Sequence, residues 1–182
     1  MSKKLVQFNI TAKNMGRICW ILLAGPVVFY VLINIVYSGS EGFLNNFAGV
    51  HSLTFIPVLL AVYIVHEVLH VAGGMIIGAR FSSFKFGFDK TKLSIECHCH
   101  DEMSIRAYLF MLLLPFGVLT PLLSGLAYFS EVHLWWMMLT LSTSGCAFDL
   151  TVFIGLIGIP GHTRIIPELE GVNGYVYLKA AS

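Results

Sequence analysis

Charge is scarce in this sequence. Asp, Glu, Lys and Arg make up 12% of its 182 residues, whereas hydrophobic residues make up 57%. A soluble domain carries roughly 25% charged and about 45–50% apolar residues, so this chain has too few polar side chains to cover a water-facing surface. The net charge of +1 also lacks the basic footprint of a nucleic-acid-binding protein. The composition indicates an integral membrane protein that has the lipid bilayer as its partner and binds no nucleic acid.

Cysteine is also scarce, and its spacing does not indicate a disulfide framework. Cys19 and Cys146 lie in apolar runs, and the other two cysteines belong to the Cys97-His98-Cys99-His100 stretch. The chain shows no internal repeat and no low-complexity segment, and its length suits one domain better than two. These absences exclude a small secreted disulfide scaffold and a repeat architecture.

Four apolar runs are long enough to cross a membrane as helices. The first starts too far along the chain, and is too long, for the hydrophobic region of a signal peptide, so we expect it to be retained. Pro26 is a candidate kink within it. The runs cover about Ile18–Tyr37, Ser52–Gly78, Tyr108–Phe129 and Leu134–Ile159.

Lysine and arginine lie on alternate sides of these runs. The segments Ser38–His51 and Ser130–His133 contain neither residue. The positive-inside rule therefore predicts that both termini and the Arg80–Arg106 loop are cytoplasmic. The basic residues of the N-terminal segment and of that loop are Lys3, Lys4, Lys13 and Arg17, and Arg80, Lys85, Lys90, Lys92 and Arg106.

The cytoplasmic loop alternates apolar and polar residues in two stretches, 84–89 and 93–99, on either side of a polar turn. Period-two alternation across a short turn predicts an amphipathic β-hairpin whose apolar face lies against the membrane interface or the helices. In the C-terminal tail, Asn173-Gly174 between short apolar stretches is a second hairpin-turn signal. We otherwise expect an all-α polytopic membrane protein with about four transmembrane helices.

The second run contains the H-E-x-x-H pattern as HEVLH, residues 66–70. In a helix His66 and His70 differ by about 40° around the axis, so both imidazoles can bind one ion. Glu67 is rotated by about 100° from His66, which suits a general base better than a ligand. Each ionisable group costs about 2.5–3.5 kcal/mol near the bilayer centre. A metal ion compensates three such groups better than a structural hydrogen-bond network does.

Asp149 is the candidate third ligand, since a catalytic zinc usually takes three protein ligands and one water. His66 lies 14 residues after Ser52 and Asp149 lies 15 residues after Leu134, which places them at similar depths of about 21 and 22 Å. Asp149 is also the only charged residue of the fourth run. Cys146 is the rival ligand on much the same helix face, although cysteine is commonly a small buried hydrophobe.

Other histidines and cysteines are weaker candidates. Strand alternation points the cysteines and histidines of Cys97-His98-Cys99-His100 to opposite faces, so a hairpin edge is favoured over a second metal or redox site. Interfacial solvation near the ends of the spans accounts for His51, His133 and His162.

The chain resembles two related groups of proteins. One is the site-2 protease class of intramembrane metalloproteases. The closer one is a family of bacterial membrane proteins described as putative zincin peptidases. The resemblance to the latter runs from about Pro57 to Tyr177. The residues that carry it are HEVLHVAGGMIIG, Pro115-Phe116, Ser144, Gly145 and Asp149, and Pro167 with Gly174-Tyr175.

The resemblance implies a three-helix catalytic core in a bacterial cytoplasmic membrane, with zinc on His66, His70 and Asp149 and with Glu67 as general base. In one respect the chain departs from site-2 proteases: no glycine follows the aspartate in Phe148-Asp149-Leu150. The motif match is specific for the metal and weaker for the substrate.

We expect a single membrane domain over residues 1–182: residues 1–50 form the N-terminal segment and first span, 51–159 the metal-binding core with a hairpin over 80–100, and 160–182 a cytoplasmic tail. The expected function is zinc-dependent hydrolysis of a peptide or transmembrane-segment substrate. The alternatives are a non-catalytic zinc-stabilised binding protein and, less favoured, a metal transporter. The sequence leaves the substrate and the oligomeric state open.

Overall fold

The computed structural model describes residues 5–8, 12–48, 52–89, 94–99, 101–130, 133–161, 163–167 and 176–179. Its helices are α1 (Ala12–Ala48), α2 (Ser52–Ile76), α3 (Ile105–Ser130), α4 (His133–Gly145) and α5 (Ala147–Leu156). Its strands are β1 (Leu5–Phe8), β2 (Phe84–Asp89), β3 (Ser94–Cys99), β4 (Met103–Ser104), β5 (Arg164–Pro167) and β6 (Val176–Lys179).

Within the described residues, four helical segments are long and apolar enough to cross a membrane, as the hydropathy pattern predicted: Gly16–Val36, Thr54–Ile76, Ile105–Phe129 and His133–Leu156. Their outward faces carry large apolar side chains; Val36 is 79% exposed and Phe129 is 84% exposed. Lipid can cover such faces, while the helical hydrogen bonds satisfy the backbone within each segment.

Helix α1 is longer than predicted. It extends to Ala48, beyond the predicted end of the first span at Tyr37. Pro26 lies inside the helix, but the helical dihedral angles are interrupted at Gly39, with φ 69° and ψ 170°. The left-handed value of φ at this position costs glycine little, because glycine has no Cβ.

The fourth span is two helices rather than one. Helix α4 ends at Gly145 and α5 begins at Ala147, with Cys146 between them at φ −73° and ψ 0°. Ser144 and Gly145 precede the break, and such Ser/Gly pairs are a common cause of sharp helix kinks. The break places Asp149 in the first turn of α5.

The predicted hairpin is confirmed. Strands β2 and β3 pair antiparallel in a register that runs from Phe84 opposite Cys99 to Asp89 opposite Ser94. The Phe84 ring is buried and touches α2 at Gly74, where an added Cβ would overlap the ring. At the base of the hairpin, Asp101 accepts a hydrogen bond from the backbone N–H of Arg80 at 3.1 Å.

The structure is mostly helical, as expected, but it contains more strands than the two predicted hairpins. A second, four-stranded sheet has the order β1-β6-β5-β4. It pairs the N-terminal and C-terminal strands with each other and joins them to the strand that precedes α3. These strands have two to four residues each, too few for a periodic signal, and except for the pair β5–β6 their partners are distant in the chain. The pair β5–β6 agrees with the tail hairpin, whose Asn173-Gly174 turn lies outside the described residues.

The core of the described part of the chain consists of two apolar clusters. One joins the hairpin and the sheet to α2, α3 and α5, and its buried members include Val71, Phe84 and Ile105. The other joins α2, α3 and α4 around Leu123 and Met138. Helix α2 contributes to both clusters, so its two histidines are held within the packed part of the bundle.

Candidate metal centre

Helix α2 brings His66 and His70 together. Since residues four apart lie on one helix face, the two Nε2 atoms converge to 3.1 Å. Both side chains are buried, with residue exposures of 9% and 7%. The imidazole rings meet edge to face, with centroids 4.8 Å apart and an interplanar angle of 79°. Both rings therefore direct the same kind of nitrogen to one point.

Asp149 completes this arrangement from α5. Its Oδ2 lies 3.1 Å from Nε2 of His66 and 3.4 Å from Nε2 of His70. The residue is 9% exposed, so three polar side chains meet in an otherwise apolar bundle. The structure thus places the three predicted ligands together, as the depth comparison indicated. Among the described residues, they are the group of histidine, cysteine and acidic side chains whose ligand atoms could hold one ion.

The far side of each imidazole ring also has a defined contact. Nδ1 of His70 lies 3.0 Å from the backbone carbonyl oxygen of Met111 in α3. A carbonyl can only accept, so Nδ1 carries the hydrogen and Nε2 of the neutral ring presents its lone pair. Nδ1 of His66 lies 3.7 Å from Sγ of Cys146. Sequence reasoning missed Met111, because it takes part through its backbone.

The geometry and the donor set fit zinc. Ligand atoms about 2.0–2.1 Å from a tetrahedral zinc lie about 3.3–3.4 Å from one another. The three measured separations, 3.1, 3.1 and 3.4 Å, are close to that spacing. Nε2 of His70 and the carboxylate oxygen of Asp149 both present lone pairs towards the same point, which a bound cation stabilises. Two imidazoles and one carboxylate are also an ordinary catalytic zinc ligand set.

Cys146, the rival ligand, has another place. Its Sγ contacts Nδ1 of His66, the ring nitrogen that faces away from Asp149. It therefore lies behind the imidazole rather than among the three converging atoms. Glu67 is half-buried on the same turn of α2 as His66, and its predicted role as general base stays a prediction.

The Cys97–His100 stretch is described only in part. Cys97 and His98 belong to β3 and pair with Phe86 and Lys85, but their side chains and His100 lie outside the described set. The Cys99 thiol is free and buried, and burial raises its pKa. A thiol packed in the core and kept protonated is a poor metal ligand.

A polar cleft of about 530 Å³ opens beside the hairpin base and β4. Asp101 in this cleft has a pKa below its ordinary value, chiefly because of a hydrogen bond with Ser83 and then because of the bond from the Arg80 backbone. Two arginines and two acidic residues occur in its lining, which consists of Ile77–Arg80, Asp101–Ser104, Ala107 and Arg164.

Comparison with known proteins gives one family. Neither a curated protein nor a solved structure matches the chain, so the expected likeness to the site-2 protease core stays a prediction. A family described as "putative zincin peptidase" matches residues 59–163, more than half of the chain. That range contains HEVLH, the hairpin, α3 and Asp149. The chain therefore belongs to the putative zincin peptidase family.

Proposed function

We propose that this protein is a zinc-dependent peptidase that hydrolyses a peptide bond within the membrane or at its surface. The observation that carries the proposal is the convergence of His66 Nε2, His70 Nε2 and Asp149 Oδ2 in a buried site. Membership of a zincin peptidase family supports zinc as the metal and peptide hydrolysis as the reaction.

The roles of the residues follow from their chemistry. His66, His70 and Asp149 would hold the ion through the three converging atoms and leave one coordination position open. At these residues a zinc ion would supply Lewis-acid chemistry, lowering the pKa of a water and polarising the carbonyl of the scissile bond. Glu67 would accept the proton of that water and then donate it to the leaving amine.

Substrate access involves the strand-bearing end of the bundle, where the β2–β3 hairpin and the four-stranded sheet lie. A peptide must be extended to be cleaved, and each strand of the β2–β3 ribbon has one edge without a strand partner among the residues described. Such an edge can add a peptide as a further strand. With the basic residues inside, this end and both termini would face the cytoplasm. The substrate class is a peptide or a transmembrane segment, and the proposed core is site-2-protease-like.

The Glu67→Gln variant tests catalysis separately from metal binding. The glutamine side chain has the size of the glutamate it replaces but cannot accept a proton, so we expect cleavage to fall by 10²-fold or more, the typical range for a lost general base. Zinc content, measured by mass spectrometry of the purified protein, should stay at one ion per chain. Cleavage of fluorescein-labelled casein and of synthetic transmembrane peptides in detergent gives the rate.

The same measurements separate the alternatives. Full cleavage by Glu67→Gln would contradict the general-base role. A wild-type protein that holds one zinc and cleaves none of these substrates, while zinc raises its melting temperature, would favour a non-catalytic zinc-stabilised protein. The transport hypothesis predicts further acidic sites along a path through the membrane. The described residues contain one candidate metal cluster, formed by His66, His70 and Asp149. Zinc uptake into vesicles that contain the purified protein would support transport.

A further inference from the structure

Helix α3 contains a proline at a position that affects the metal centre. Pro115 is fully buried inside the helix. In an α-helix the N–H of a residue donates to the carbonyl four residues earlier, and proline has no N–H. Pro115 therefore leaves the carbonyl of Met111 without its helical donor. A buried carbonyl in this state needs another partner.

The missing donor is replaced by a side chain from α2. Nδ1–H of His70 donates to the Met111 carbonyl at 3.0 Å. The proline ring also crowds the carbonyl four residues earlier, which favours its displacement from the helix axis and towards a neighbour. The contact orients the His70 ring and leaves Nε2 as the nitrogen that faces Asp149. Such contacts behind a ligating histidine raise metal affinity.

The close approach of the two helices depends on Gly73. A Cβ at Gly73 would lie 3.2 Å from Cα of Met111 and 3.2 Å from Cδ2 of Leu114. Such distances are tighter than ordinary van der Waals contact, so a larger residue would push α3 away from α2. Gly73 lies three residues after His70, which places this close contact one helical turn from the hydrogen bond.

We propose that Pro115 is a positioning residue for the metal centre: by freeing the Met111 carbonyl, it fixes the tautomer and orientation of His70. Gly73 contributes by holding that carbonyl within reach. This inference rests on the proposed function, since it requires His70 to be a zinc ligand.

The Pro115→Ala variant tests the proposal, with Pro121→Ala as its matched control. Both prolines lie in α3, but Pro121 is exposed and the carbonyl it frees belongs to Gly117, outside the metal centre. Alanine at 115 restores an N–H that competes with His70 for the Met111 carbonyl. We expect the zinc dissociation constant, measured by chelator competition in detergent, to rise about 10- to 100-fold for Pro115→Ala. Pro121→Ala should keep the wild-type value.

The metal-free protein supplies a second readout. A buried proline in a helix interior is unfavourable, so we expect Pro115→Ala without metal to unfold at the wild-type temperature or above it. Weaker zinc binding without loss of apoprotein stability identifies a positioning role. If zinc binding and apoprotein stability fall together, Pro115 is structural and the proposal is wrong. Wild-type zinc affinity in Pro115→Ala also overturns it.

Two further measurements keep this inference separate from the proposed function. Gly73→Ala should weaken zinc binding in the same direction as Pro115→Ala, and the visible spectrum of the cobalt-substituted protein should change in both variants. An unchanged cobalt spectrum in Pro115→Ala contradicts the proposal. Failure of the wild-type protein to bind zinc at all would instead refute the proposed metal centre.

Discussion

Asp149 is the residue on which the proposed metal centre depends most, because it joins α5 to the two histidines of α2. Its Oδ2 lies within 3.4 Å of both Nε2 atoms. In Asp149→Asn the side chain keeps its shape but loses its negative charge. The site then has two neutral imidazoles and a neutral amide, which is a weak ligand for zinc. We therefore expect zinc affinity to fall by at least about 100-fold, or about 2.7 kcal/mol.

That loss has a measurable consequence for stability. A ligand at 100 times its dissociation constant stabilises the folded state by about 2.7 kcal/mol. Zinc at that concentration should thus raise the melting temperature of the wild-type protein and leave that of Asp149→Asn almost unchanged. The assay is thermal unfolding in detergent after chelation, with and without added zinc. Asp101→Asn, the same substitution in the polar cleft, is the control that should keep the zinc response.

One result would refute this reasoning. If Asp149→Asn binds one zinc per chain with wild-type affinity, then the carboxylate is not a ligand, and the convergence of the three side chains reflects a hydrogen-bond network. A Cys146→Ala variant completes the comparison. Since Sγ of Cys146 contacts the far side of His66, its removal should weaken zinc binding much less than Asp149→Asn does.

Two further predictions concern the strand-bearing end of the protein. Gly74→Ala should destabilise the fold by about 1–3 kcal/mol, because the new methyl group overlaps the buried Phe84 ring and overpacking has that cost. Thermal unfolding measures the loss of stability. The double variant with Phe84→Leu should recover part of that loss. Asp101 has a lowered pKa in the folded state, so its contribution to stability is present above its unfolded pKa of about 3.9 and is lost as the pH falls through the lower folded value. Asp101→Asn should remove that part of the acid dependence of unfolding, and an unchanged acid profile would contradict the assignment.

Local sequence patterns were sufficient for most of the secondary structure. Apolar runs long enough for a bilayer predicted the four spans, and period-two alternation predicted the β2–β3 hairpin to within a residue of its bounds. The four-residue spacing within HEVLH placed both histidines on one helix face. Each of these features depends on residues close together in the chain, and their periodicity is visible without knowledge of the fold.

Apart from the β5–β6 pair, the four-stranded sheet was not predictable in this way, and neither were the helix irregularities. Strands β1 and β6 are at opposite ends of the described chain, and their pairing depends on where the helix bundle places them. The break at Cys146 and the interruption at Gly39 arise where glycine or its neighbours make a helix easy to interrupt. Glycine and proline occur elsewhere in these helices without that result, so composition alone could not locate the breaks.

The sequence by itself determined apolar helices long enough to cross a membrane and two histidines on one helix face that could hold a metal ion, because hydropathy and helical spacing are properties of the chain. Depth counting then selected Asp149 from the fourth span. The tertiary structure decided which residues from distant parts of the chain meet at the site. The packing of α3 against both α2 and α5 brings the Asp149 carboxylate to both imidazoles and the Met111 carbonyl to His70. Both contacts join residues far apart in the chain. These residues meet because the packing of the whole bundle fixes where each helix lies relative to the others.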